Sequence, residues 1–229
     1  MNQPITDKML HLAEEWDAQD DARAIFLHCY CRMTRNMLVA IAQHRFHDNE
    51  WVSRLLHRFA EYYFEALTCY DCGDPAPAIW KYTHRRAREG RLHTLQHLLL
   101  GVNAHINYDL VLTLHEILAP EWPQLSASAK KERYEDHCLV NTIIAESIDE
   151  VQDEVIEKYS PGMDWVDKLM GRLDEQLIAA LIRRWRNRVW ERALDFCACA
   201  SAQKERSLHR ELEEEVMETA RWIERVGWV

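Results

Sequence analysis

LLLGVNAHINYDLVLTL, Leu98 to Leu114, decides how the rest of the chain is read. Apolar side chains recur through it without the strict alternation of a strand, and it is long enough for more than four helical turns. It reads as the central helix of an all-α core, within a helix predicted from about Leu92 to Leu118. His105 and Asp109 interrupt this apolar run, four residues apart. At about 100° per residue, Leu98, Gly101, Leu112, Asp109 and Glu116 all fall within about 40° of His105. Asn103 and Asn107 fall on the opposite side. An unpartnered carboxylate in such a stripe is costly, so Asp109 needs partners from other helices. Either the two side chains satisfy each other as a structural pair, or they hold something.

The surrounding composition supports the helical reading. The chain has 229 residues, 48% of them hydrophobic, with only six Gly and six Pro. So few breakers favour long helices, and the length permits a substantial core. Nine Trp imply aromatic-rich packing between the helices. A formal charge of −10 argues against a nucleic-acid partner, which needs a basic face. The basic runs His84–Arg91 and Arg183–Arg188 read as solvated helix faces.

The N-terminal MNQPITDKML lacks the apolar core of a signal peptide, and no uncharged apolar run approaches the ~20 residues of a membrane span. A cytoplasmic location without membrane contact is expected, and the seven Cys are expected to be reduced. Cys69-Tyr-Asp-Cys72 has the spacing of a redox or zinc motif, but no second such pair completes a four-ligand zinc site.

Along the chain, a short helix from about Thr6 ends near the acidic QDD, and a longer one spans roughly Ala22 to Phe46. Asp48 is placed to cap a helix over Glu50–Tyr70, and Pro77 to open one through Arg88. After the Leu92–Leu118 helix, further helices are expected at about Ala129–Lys158, Asp164–Ala200 and Leu208–Val226, with a break at Ser160-Pro-Gly. No linker or repeat divides residues 1–229, so a single compact bundle of six to eight helices is expected.

The expected partners of His105 and Asp109 come from the helix containing His137 to Val155. There Asp149 and Asp153 are again four apart. One imidazole with three carboxylates suits a divalent metal: Zn, Mn, Fe or Mg. Such a metal would make the protein a hydrolase of an ester or phosphoester small-molecule substrate, with the ion lowering the pKa of a bound water. Asn141 or Tyr108 would orient the substrate, and Arg186 or Arg188 would offset developing negative charge.

Several stretches together resemble a family of bacterial all-α proteins of unknown function. They are Tyr30 and Thr34 in CYCRMT; Phe46, Asp48 and Trp51 in RFHDNEW; Phe59, Ala60 and Tyr63 in RFAEYY; and Pro77 and Trp80 in PAPAIW. The block LLGVNAHINYDL, with its NAHIxxDL core, belongs with them, as do Asn141, Asp149, Arg186, Trp190 and Ala193. This resemblance implies one helical domain and brings no activity. The HxxxD of His105 and Asp109 also resembles, more distantly, the zinc-dependent phospholipase C and single-strand nuclease family. That pattern continues through a Pro to a His ten residues after the first. Here His115 stands at the His position, but Thr113 replaces the Pro.

Other chemistries have less support. None of the twelve His has a Glu three residues before it, as a carboxylate di-iron bundle requires. Asp149-Glu-Val-Gln-Asp153 has the spacing of a Mg-binding motif for a prenyl diphosphate. There is no G-x-S-x-G, G-x-G-x-x-G, P-loop or HExxH motif. His57, Glu61 and Glu65 read as a solvated stripe, and His93 with His97 as packing or surface residues. The alternative to an enzyme is a helical binding or structural protein. In that case His105–Asp109 is a buried polar lock and the Trp-rich interior binds an apolar ligand or nothing. Trp222, Val226 and Trp228 are placed for a homodimer contact or for core.

Overall fold

A stripe of buried side chains at Thr6, Met9, Ala13 and Trp16 sets the first helix, α1 (Ile5–Asp17), with spacings of three and four residues. The computed structural model describes residues 4–151, 157–159 and 171–225. All of its regular structure is helical, with no strand among the described residues. After α1 come α2 (Arg23–Ala42), α3 (Asn49–Cys72), α4 (Ala78–Glu89) and α5 (Thr94–Val102). A π-helical segment (Asn103–Asp109) leads into α6 (Leu110–Leu118). Then follow α7 (Ala127–Val151), a single turn α8 (Glu157–Tyr159), α9 (Gly171–Cys197) and α10 (Ala202–Arg225). The all-α class expected from composition and periodicity is the class observed. No described helix is long and apolar enough to cross a membrane.

The backbone contacts group into two compact units, each drawn from two stretches of chain: 1–54 with 126–184, and 55–125 with 185–229. In the first, α1 packs on α2 and α2 on α7. The expected helix to Phe46 stops at Ala42, because His44 adopts a positive φ of 54° and the N–H of Arg45 turns back to the carbonyl of Ala40. The connection that follows is held from α7. Asp136, fully buried, accepts the backbone N–H groups of His47 at 2.8 Å and Asp48 at 3.0 Å. Asp48 caps α3 as expected, accepting the N–H of Trp51 at 2.9 Å, and Arg133 donates to its other oxygen at 2.9 Å.

In the second unit, α4 runs from its Pro77 cap to Gly90, whose φ of 60° closes the C-terminus. His93 and Gln96 form a reciprocal capping box at the start of α5. The Gln96 amide also donates to the carbonyls of Ile223 (3.1 Å) and Glu224 (3.0 Å), near the end of α10. Arg86 of α4 pairs with Glu224 as well. The C-terminal helix α10 thus packs on α4, α5 and the π-helical segment. It begins at Ala202, earlier than its apolar periodicity indicates, where the Ser201 hydroxyl accepts the N–H of Lys204.

Candidate functional site

The helix expected to be continuous from Leu92 to Leu118 is regular only at its ends. Over Asn103–Asp109 the hydrogen bonding widens to the π register, and the N–H of Leu110 reaches back five residues to the carbonyl of His105. Asn103, on the side opposite His105 by 100° geometry, is fully buried as well. Its amide donates to the carbonyl of Val216 on α10 at 3.0 Å and its oxygen accepts from Asn107 at 2.8 Å. The hydroxyl of Thr113 donates to the Asp109 carbonyl at 2.7 Å.

His105 and Asp109 do meet. Nδ1 of His105 lies 3.0 Å from Oδ2 of Asp109, and the residues are 3% and 1% exposed. The further partner of the carboxylate comes from α4. The indole N–H of Trp80 stands 3.0 Å from each Asp109 oxygen. From α3, the ring of Phe59 lies flat on the imidazole, with centroids 3.6 Å apart and planes at 9°. Tyr63 sits edge-on to both Trp80 (5.1 Å) and His105 (6.1 Å). Buried His84 stacks on the other partner, Trp80, at 5.1 Å. The site is therefore a Trp–Asp–His chain inside an aromatic box.

Burial sets its electrostatics. It pushes the Asp109 carboxyl well above its ordinary range; the Trp80 N–H opposes this and the charge of Glu65 adds to it. Burial likewise holds His105 well below its ordinary value. Both directions favour zero net charge on the pair, with one proton retained between carboxylate and imidazole.

The other predicted residues are distributed as follows. Tyr108 is buried, and its hydroxyl is bonded to Glu213 of α10; burial first, then Glu213, raises its pKa. Asn141 is half-buried on α7, in the first unit. Arg186 is buried on α9 and Arg188 exposed, both in the second unit. Asp149 lies on α7 in the first unit, but its side chain, like the whole of Asp153, falls outside the described residues. His115 rests against Phe196 of α9, with ring centroids 5.4 Å apart. Glu61 and Glu65 are exposed as expected, gathered with Glu116 around Arg58.

Trp80 and Phe59 are the functional neighbours that reading by helix angle missed. Trp80 is 29 positions from Asp109. Its one signal is chemical: a buried indole needs an acceptor for its N–H.

As joint ligands to one cation, Nδ1 of His105 and Oδ2 of Asp109 fit poorly. A cation shared by Nδ1 and Oδ2 would displace the hydrogen bond between them. It would also face the indole of Trp80, which can only donate. Among the described residues no group of three or more His, Cys, Asp or Glu is arranged to hold a metal ion. No curated protein and no solved structure matches the chain. One family matches residues 3–226, nearly its whole length, and the chain belongs to it: DUF5995, a family of unknown function.

Proposed function

We propose that this is a non-enzymatic helical binding or structural protein in which Trp80, Asp109 and His105 form a buried polar lock. The observation that carries this reading is the full engagement of Asp109, which takes the Trp80 N–H on both oxygens and His105 on one, at 1% exposure. A carboxylate so held joins α4 to the π-helical segment, while Phe59 and Tyr63 join that segment to α3. Asn103 joins it to α10. A buried carboxyl engaged on both oxygens specifies one arrangement of these packed helices, since any shift leaves it short of a donor.

A second reading, a divalent metal on His105 and Asp109 serving ester or phosphoester hydrolysis, is favoured by one feature. π-helical turns recur at functional sites, and both residues of this reading lie in one, side by side. One experiment separates the two. Urea unfolding of the untagged protein, with and without chelator, is combined with elemental analysis. A lock gives curves unmoved by chelator and no stoichiometric metal. A metal centre gives about one equivalent of metal, and its removal lowers stability by the linkage of binding to folding.

A further inference from the structure

The last turn of α3 carries Cys69 and Cys72, and nothing in the lock uses them. At about 100° per residue their side chains lie about 60° apart, and helical rise and radius place their Cα atoms about 5 Å from each other. That falls inside the roughly 4.4–6.8 Å range over which a disulfide closes. The two intervening residues are fastened in the other direction, onto α4. The Tyr70 ring meets His84 at 5.0 Å, and Asp71 pairs with Arg88 at 3.1 Å, the same Arg88 that sits over Tyr70. The end of the turn is closed by a Schellman pattern. The N–H of Asp74 returns to the carbonyl of Cys69 at 2.8 Å, and that of Gly73, with φ 77°, to Tyr70. The turn is thus held in register by α4 and by its own C-terminal closure. Cys72 is exposed, Cys69 is half-buried, and both are free thiols.

We propose that Cys69 and Cys72 are a dithiol redox site that glutathione disulfide converts to an intrahelical disulfide. The thiolate of Cys72 attacks one sulfur of the oxidant, forming a mixed disulfide and expelling one glutathione thiolate. The thiolate of Cys69 then attacks the Cys72 sulfur, closing the protein disulfide and expelling the second. The two protons given up by the cysteines end on the two glutathione thiols, so dithiol plus glutathione disulfide gives disulfide plus two glutathione.

The test uses the full chain, reduced and freed of reductant, then equilibrated at graded ratios of reduced to oxidised glutathione. It is blocked with a maleimide and its peptides are weighed. The peptide holding both cysteines is expected to pass from a doubly blocked form to one lacking two hydrogens and any block, without a lasting glutathione adduct. In Cys69→Ser the glutathione adduct on Cys72 is expected to accumulate. The proposal is overturned if both cysteines remain blocked at every ratio. It is equally overturned if either pairs with another cysteine, if an adduct on Cys72 persists in the wild type, or if Cys69→Ser collects no adduct.

Discussion

The indole N–H of Trp80 stands 3.0 Å from both carboxylate oxygens of Asp109. A single donor from α4 thereby meets the acid that also holds His105, and the pair is closed over by Phe59. The consequence is a site whose members depend on one another.

Trp80→Phe keeps most of the packing and removes the donor. It is expected to cost about 1–3 kcal/mol, because Asp109 is left buried and short of a partner. The cost should be the same with and without chelator in urea unfolding. Combining it with Asp109→Asn should cost clearly less than the sum of the two single changes. Additive losses would show that the two side chains are not coupled.

The pH dependence of stability follows from the two opposed shifts. Unfolded, Asp109 and His105 titrate at their ordinary values, 3.8 and 6.5. Folded, the raised Asp109 and the lowered His105 favour one proton on the pair across this span. Between 3.8 and 6.5 the unfolded chain also holds one proton on these groups, so their contribution is flat. Above 6.5 the unfolded imidazole lets its proton go while the folded pair retains one, and stability falls as pH rises. Below 3.8 the unfolded chain binds two protons against one, and stability falls as pH drops. Each limb approaches about 1.4 kcal/mol per pH unit at its steepest. The wild type minus an Asp109→Asn, His105→Gln double variant, measured by urea unfolding across this span, should show the plateau and both limbs. A difference that rises from 6.5 to neutral pH would contradict the neutral pair.

Asn103→Ala is expected to destabilise by about 2–3 kcal/mol, since it removes a fully buried amide bonded to Val216 and leaves a void behind it. Hydrogen exchange should report the loss first in the π-helical segment and the facing part of α10. An unchanged exchange pattern would mean that α10 docks independently of this contact.

In the first unit, Asp136→Ala leaves the N–H groups of His47 and Asp48 without their acceptor and is expected to cost about 3 kcal/mol. Asp136→Asn, which retains a carbonyl oxygen, should recover part of this in the same unfolding assay. Equal losses for Ala and Asn would show that the carboxylate charge matters more than the bonds.

The local chemistry of the chain carries much of this structure on its face. Scarce Gly and Pro with three- and four-residue periodicity specify helices. Asp48, Pro77 and Gly90 mark helix ends through bonds and backbone angles confined to a few neighbouring residues. The facing of His105 and Asp109 follows from their separation by four, because one turn brings such residues together. Three things were decided only by tertiary structure. The π register at Asn103–Asp109 has no local marker; it accompanies the burial of Asn103 against α10, 113 residues away in sequence. The early end of α2 goes with the clamp by Asp136, 89 positions from His47. Trp80 was invisible as a partner of Asp109 because both are buried polar groups at no helical spacing. Spacing along one helix can bring two side chains together, but a buried donor and acceptor on different helices find each other only when packing leaves neither any other partner.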